Sequence, residues 1–326
     1  MRIEAAVVMA DSRATEAADR QSMRNRVLRA IAAHRTPGYH FPGHLLDARW
    51  PEVGPEHARL ALPLAPHLVD IDGSLDLVAL AVFADMALGT AARVRDAHHE
   101  RQATLELQLQ LTGAAARGEV SATVRPRDRC DESNGYSLTE AAFEAGGKPI
   151  AHALGKFARL RAPDGMVLAP LPWQREQVAH AALDEQQLHP DERGVLERCI
   201  AALAQTGESE SLVRRLWGGE RIADGSDPAR RLAIGMHATN RVGHVQGGVL
   251  VALAATSAAD VAPAGMQLSS VSAWFLRPGV TDLVARSTIL HRGRRTMLVR
   301  TDVSGDGDVC VLHAVAQFVV PHPLSR

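Results

Sequence analysis

Two short stretches carry the residue types that could act on a polar substrate. Residues 240–255 read N-R-V-G-H-V-Q-G-G-V-L-V-A-L-A-A: a polar turn, a glycine pair, then an apolar run of helical character. Residues 70–85 read D-I-D-G-S-L-D-L-V-A-L-A-V-F-A-D, at a constant offset of 170. Asp85 stands in an otherwise apolar segment, V-F-A-D-M-A-L-G. A carboxylate on a buried helix is costly unless it is paired or faces a polar cleft, and burial raises its pKa toward that of a general base. The plainer alternative is a helix-surface aspartate bonded to nearby backbone. Gly247 and Gly248 open the second apolar run, where a helix start offers unpaired N–H groups and its positive dipole end. Glycine there lets a substrate oxygen come close to the backbone, with Gln246 as side-chain donor or orienter. The alternative is that the pair only allows tight helix packing. The second stretch has Ala255 where the first has Asp85, and the first has Asp76-Leu77-Val78 where the second has Gln246-Gly247-Gly248.

Both stretches need helices to present them and sheets to bury those helices. Residues 74–92 and 246–260 are apolar nearly all round, as helices buried on most faces are. Strands are expected from Ala58, at 103–111 with near-strict alternation, and at 118–126, 136–145 and 150–160. The second half repeats the order, with strands at 229–238, 267–277, 282–292, 296–304 and 309–320 and turns at Pro278-Gly279 and Gly305-Asp306-Gly307. The fold class implied is α+β, an antiparallel sheet wrapped round a central helix, twice. Four segments are expected: an N-terminal helical extension over 1–34, a first domain over 35–162, a helical connector over 163–224 and a second domain over 225–326. The extension should bury Val27, Leu28 and Ile31; Pro37-Gly38 and Pro42-Gly43 break regularity after it. In the connector, 173–187, 191–205 and 208–216 look helical.

Composition narrows the function classes. Charged residues are 22%, hydrophobic 46%, and the formal net charge is −1 with pI near 7.0, so nothing global points to nucleic acid or a membrane surface. Cys130, Cys199 and Cys310 show no C-x-x-C spacing and read as reduced structural thiols. The N-terminal apolar run is too short for a secretion signal, and no run reaches a membrane span, so a soluble cytoplasmic protein is expected. His98-His99-Glu100 has a metal-like look but no third ligand at useful spacing, and reads as a solvated helix end; no metal is expected. Aromatic residues at 4% lean toward aliphatic substrates.

The pattern Asn240, Gly243, Gln246-Gly247-Gly248, an apolar helix, W-F-L-R-P at 274–278 and Gly293-Arg294 resembles the hotdog-fold acyl-CoA thioesterases, in particular the phenylacetate-degradation and 4-hydroxybenzoyl-CoA thioesterase group. The resemblance covers about 225–320 well and 55–160 more loosely. It departs at Gln246, where that family has histidine, and at Ala255, where it has the acid. It implies two hotdog domains forming an intramolecular pseudo-dimer, each site taking a helix start from one unit and an acid from the other. One site per chain would then unite Asp85 with Asn240, Gln246, Gly247 and Gly248, and its mate, Asp76 and Leu77 with Ala255, would be dead. Its implied activity is hydrolysis of an acyl-CoA thioester with no cofactor beyond the coenzyme A of the substrate. Arg292, Arg294 and Arg295 are candidates for the coenzyme A phosphates; Arg125, Arg127 and Arg129 cluster similarly in the first half. Trp274 and Phe275 would line the core or an acyl pocket, and Thr256 and Ser257 would bind water or pack. A homo-oligomer is expected, because tandem sheets leave edges and faces to cover. Two other readings stay open: an acyl-CoA-binding or assembly protein with a decayed site, and below it a hydratase or dehydratase, for which no D-x-N-P-x-H motif is present.

Overall fold

The computed structural model describes residues 2–94, 100–127, 135–161, 168–175, 179–205, 210–224 and 227–321. The chain is built as two copies of one unit. The first runs α1 (Arg2–His34), α2 (Phe41–Leu46), β1 (Arg49–Val53), β2 (Ala58–Leu62), α3 (Leu77–Arg93), β3 (Glu100–Leu111), β4 (Val120–Pro126), β5 (Tyr136–Ala145) and β6 (Lys148–Arg161). The second runs α4 (Pro190–Gln205), α5 (Leu212–Trp217), β7 (Glu220–Asp224), β8 (Asp227–Leu232), α6 (Gly247–Asp260), β9 (Gln267–Phe275), β10 (Leu283–Arg292), β11 (Thr296–Ser304) and β12 (Cys310–Val319). The spacing holds at 171 early in the repeat: α1 ends at 34 and α4 at 205, while α2 starts at 41 and α5 at 212. The repeat thus takes in α4 and α5, which lie within the segment expected as a connector.

The strands form one 12-stranded sheet in the order β1-β2-β4-β5-β6-β3-β9-β12-β11-β10-β8-β7. The order reads the same from either edge, so the halves are related by a pseudo-two-fold axis through the antiparallel β3–β9 junction, where Leu107 pairs with Ala273 and Leu109 with Val271. Each long helix packs on its own half-sheet, and α3 and α6 pack on each other. The core is continuous across them, with Val82, Phe83, Leu88, Val249, Val251 and Leu253 essentially inaccessible to solvent.

Duplication is plainest in the loops before α3 and α6. Asp70 N–H bonds Ser74 O and Gly73 N–H bonds Asp70 O; Asn240 and His244, then Gly243 and Asn240, repeat both bonds. Gly73 (φ 75°) and Gly243 (φ 77°) occupy the left-handed region that favours glycine, which explains why this residue persists in both copies. The helix caps coincide almost to the degree, Asp76 at φ −64°, ψ 139° and Gln246 at φ −65°, ψ 139°.

Three elements depart from expectation. The Pro42-Gly43 break lies inside α2, because proline is tolerated in a first helical turn and Phe41, Leu45 and Leu46 bury themselves. Its cap is His40, whose Nδ1 accepts from Gly43 N–H at 3.2 Å. Among the described residues of 173–187 the expected α-helix does not form, and short 3-10 turns stand at Pro172–Gln174 and Glu185–Gln187. Most of that segment is exposed, leaving no apolar stripe to stabilise a helix. Strands β1 and β7, for which no element was expected, extend both sheet edges. The α1 helix buries Val27, Leu28 and Ile31 as expected, and a bidentate Arg35–Glu192 pair (2.6 and 2.7 Å) ties it to α4.

Candidate active site

Asp85 points from the middle of α3 at the first residues of α6. Gln246 Nε2 donates to Asp85 Oδ2 at 2.6 Å, and Thr104 Oγ1 donates to Oδ1 at 3.0 Å. The Gly248 N–H at the start of α6 also favours the Asp85 anion. Asp85 is 9% exposed, and burial pushes its pKa up, against the opposing pull of Thr104, Arg93, Gly248 and Gln246. The carboxylate thus sits at the positive end of α6, held by one donor from β3 and one from the residue that caps α6.

The two glycines divide the work. A Cβ on Gly247 would lie 2.8–3.0 Å from the Asp85 carboxylate atoms, so its missing side chain keeps the carboxylate face open. A Cβ on Gly248 would lie 2.4 Å from Val82 Cα and 2.5 Å from Ala81 O, so this glycine lets the α3 and α6 backbones touch. Gly247 is partly exposed and its N–H has no partner among the described residues. This revises the roles expected of the turn. The Gln246 side chain is spent on Asp85 and on the helix cap, its Oε1 accepting from Val249 N–H at 2.9 Å. Gly247 carries the partly exposed amide of this helix start.

Thr104 is a site residue that sequence alternation hides. Strict alternation would turn Leu105 inward with Leu107 and Leu109. A register shift between Thr104 and Glu106 inserts one extra residue, so Leu105 is exposed and Thr104 faces α3. Arg93 was also missed. It lies two turns beyond Asp85 on the same helix face and folds back so that Nη1 donates to Gly89 O at 3.1 Å. Burial and the like charge of Arg241 lower its pKa to about 10, and Asp85 pulls the other way. His40 shares this neighbourhood: burial, then Arg241 and other cations, lower its pKa to about 3, so it is neutral.

Other expected residues fall elsewhere. Asn240 Oδ1 accepts from Val242 N–H (3.0 Å) and His244 N–H (3.2 Å), so its amide shapes the loop and does not touch Asp85. Arg292, Arg294 and Arg295 lie at the β10–β11 hairpin beside Met297, which packs on Ala258 near the C-terminal end of α6. That is roughly 17 Å along the helix from Gly247 at 1.5 Å per residue; the three arginines are not brought to Asp85. Trp274 is exposed on the outer sheet face and Phe275 packs against the core. Thr256 bonds Ala252 O and Ser257 bonds Ser287, both buried, so both pack rather than bind water. Glu100 pairs with Arg159 at 2.6 Å, while His98, His99, Arg129 and Cys130 lie outside the described residues. Among the described residues no cluster of three or more His, Cys, Asp or Glu could hold a metal ion, and no helix is long and apolar enough to cross a membrane.

The pseudo-symmetric mate is closed. Ala255 is 1% exposed where Asp85 would be matched. Asp76 is fully buried, accepting from Val78 N–H (2.8 Å), Ser211 Oγ (2.7 Å) and Arg214 Nε (2.9 Å). Arg214 is the third residue of α5, and the third residue of α2 is Gly43. A guanidinium fills one site, and a missing side chain leaves the other open.

With this geometry in place, the chain can be set beside known proteins. Residues 237–319 match the family model described as the acyl-CoA thioesterase N-terminal domain. No curated protein matches. Among solved structures, the chain is similar to the tesB protein of Mycobacterium avium subs paratuberculosis, with a TM-score of 0.51 and 13% identity over 84% of this chain and 96% of that one. It is similar also to the 12:0-ACP thioesterase of Umbellularia californica, with a TM-score of 0.50 and 10% identity over 80% and 93%. The fold is a tandem hotdog, and the resemblance drawn from the sequence to hotdog thioesterases holds.

Proposed function

We propose that the chain hydrolyses acyl-CoA thioesters at one composite site, with Asp85 as general base and the Gly247 amide as oxyanion donor. The observation that carries this reading is the meeting of an elevated-pKa carboxylate on α3 with the start of α6, beside a glycine that leaves its face open. Both Asp85 oxygens already accept hydrogen bonds, which blunts direct attack and leaves lone pairs to take a proton from water. The water oxygen adds to the thioester carbonyl as its proton passes to Asp85, and the carbonyl oxygen becomes the anion that Gly247 N–H faces. Collapse expels the thiolate, a good leaving group at neutral pH, which takes the proton from Asp85 to give the free thiol and restore the base. Gln246 and Thr104 hold the base in place. Water and the thioester suffice, so EDTA should leave the rate unchanged.

The test is hydrolysis of an acyl-CoA panel of varied chain length and aromaticity, read as free thiol. Asp85→Asn should lower kcat by about 10²–10⁴ with the fold intact. Full activity in that variant would refute the assignment, and no turnover by the native chain across the panel would leave acyl-CoA binding as the reading. The homo-oligomer also remains a proposal, supported by exposed Leu138, Leu154, Trp274 and Leu276. Light scattering that gives a monomer at micromolar concentration would end it.

A further inference from the structure

A cavity of about 350 Å³ opens between α1, α2, β1 and the connector, lined by Arg26, Arg29, Arg49, Tyr39, Trp50 and His180 among others. It adjoins the proposed active site: Met86, the neighbour of Asp85 on α3, forms part of its wall, and so does His40, which feels the charges of Arg93 and Arg241. Its size is that of a small-molecule site.

The lining is strongly unbalanced in charge. Among the described lining residues Asp47 is the only carboxylate, 3.1 Å from Arg49 and 3.9 Å from Arg26, and Arg29 adds a third guanidinium. The histidines do not offset or add to this charge: burial lowers His44 to about 4 and His40 to about 3. His180 Nε2 is buried with no hydrogen-bond partner among the described residues. Tyr39, His44 and His180 form one aromatic cluster with centroids 4.7–5.4 Å apart, and Trp50 stands on β1 with its Nε1 donating to Thr90.

The internal repeat shows that this charge belongs to one half only. At the 171-residue spacing the counterparts of Arg26, Arg29 and Arg49 are Glu197, Ile200 and Glu220. The basic trio is therefore no requirement of the repeated unit. It occurs in the half whose α2 leaves Asp85 open, and is replaced in the half whose Arg214 closes the mate.

We propose that this cavity seats the phosphorylated nucleotide end of coenzyme A, with Arg26, Arg29 and Arg49 on its phosphates and Tyr39 and Trp50 beside its base. Two uncompensated guanidiniums suit a multiply charged phosphate group, where a carboxylate on the acyl chain needs only one bidentate arginine. Aromatic walls give the flat base a surface to stack on. The assignment rests on the thioesterase reading and would make the enzyme prefer coenzyme A over carriers that present the same thioester without a nucleotide.

The test compares the native chain with Arg29→Gln and with Arg29→Gln/Arg49→Gln on one acyl group carried by coenzyme A and by pantetheine. The double variant should raise KM for acyl-CoA about tenfold with kcat nearly constant, and leave both constants for acyl-pantetheine unchanged. Adenosine 3′,5′-bisphosphate should inhibit the native chain competitively and lose that effect in the double variant. Equal changes for both thioesters would overturn the proposal, and so would a change confined to acyl groups bearing a terminal carboxylate. Failure of the native chain on either thioester would instead strike the thioesterase reading itself; bisphosphate binding, followed by calorimetry, would still judge the cavity.

Discussion

Adding one methyl group at either of two adjacent glycines should break different things. In Gly247→Ala the new Cβ arrives 2.8 Å from Asp85 Oδ1 and 3.0 Å from Cγ and Oδ2, inside ordinary contact distance. The neighbour is a side chain, so Asp85 can yield by a few tenths of an ångström. In doing so it strains its bonds from Gln246 (2.6 Å) and Thr104 (3.0 Å). A charge-assisted bond is worth about 1.5–3 kcal/mol, and each 1.36 kcal/mol is tenfold in rate. Loss of one bond therefore predicts a fall in kcat of about 10–100-fold, with KM nearly unchanged. Stability should hold, because alanine gains roughly 0.5–1 kcal/mol over glycine in a helix. Gly248→Ala is the control. Its Cβ meets Val82 Cα at 2.4 Å and Ala81 O at 2.5 Å, both backbone atoms. The two central helices must separate, costing about 1–3 kcal/mol or more. The assays are steady-state hydrolysis with a free-thiol readout and urea denaturation of both variants. Native kcat in Gly247→Ala would refute the claim that the carboxylate position matters. A Gly248→Ala chain as stable as the native one would refute the close helix crossing.

Other outcomes follow from the same contacts. Asp85 acts as its anion and burial raises its pKa, so kcat should fall as pH drops through a value above the ordinary carboxylate range. Gln246→Met removes a donor that favours the anion, so the pH profile of kcat should show this acid limb at higher pH; an unmoved limb would deny Gln246 its hold on the base. Arg214→Ala strands the buried Asp76 charge and should cost about 3–5 kcal/mol, seen as a lower urea midpoint, with hydrolysis at the opposite site unaffected. Arg35 holds Glu192 below the usual glutamate pKa, so this contribution is present above the ordinary glutamate range and is lost as pH falls through the lowered value. Hydrogen exchange at the end of α1 should accelerate over that acid range, and should not do so in Glu192→Gln.

Asp85 and the 246–248 turn were legible because their chemistry is local: a lone acid in an apolar helix and a glycine pair at a helix start. Their meeting was implied only by the family resemblance, and the matching loops on Gly73 and Gly243 bear out the repeat behind it. What stayed hidden depended on geometry between elements. A single bulge put Thr104 where alternation demanded Leu105, since one inserted residue exchanges the faces of a strand. Helix α2 looked like a break because Pro42 and Gly43 are breakers except in a first turn. The division between the two glycines could not be read, since both are the same letter and only their neighbours differ. The place of Arg292, Arg294 and Arg295 was not legible, because a basic hairpin carries no mark of the helix end it stands beside.

The β3–β9 junction has a consequence for how this protein responds to dilution. A site shared between separate subunits disappears as they part, because mass action governs their encounter. Here acid and turn belong to one polypeptide and one unbroken sheet, so the site forms as the chain folds. Specific activity should then stay constant however few molecules are present, and no mixing of mutant and native chains can restore a site that one chain has lost.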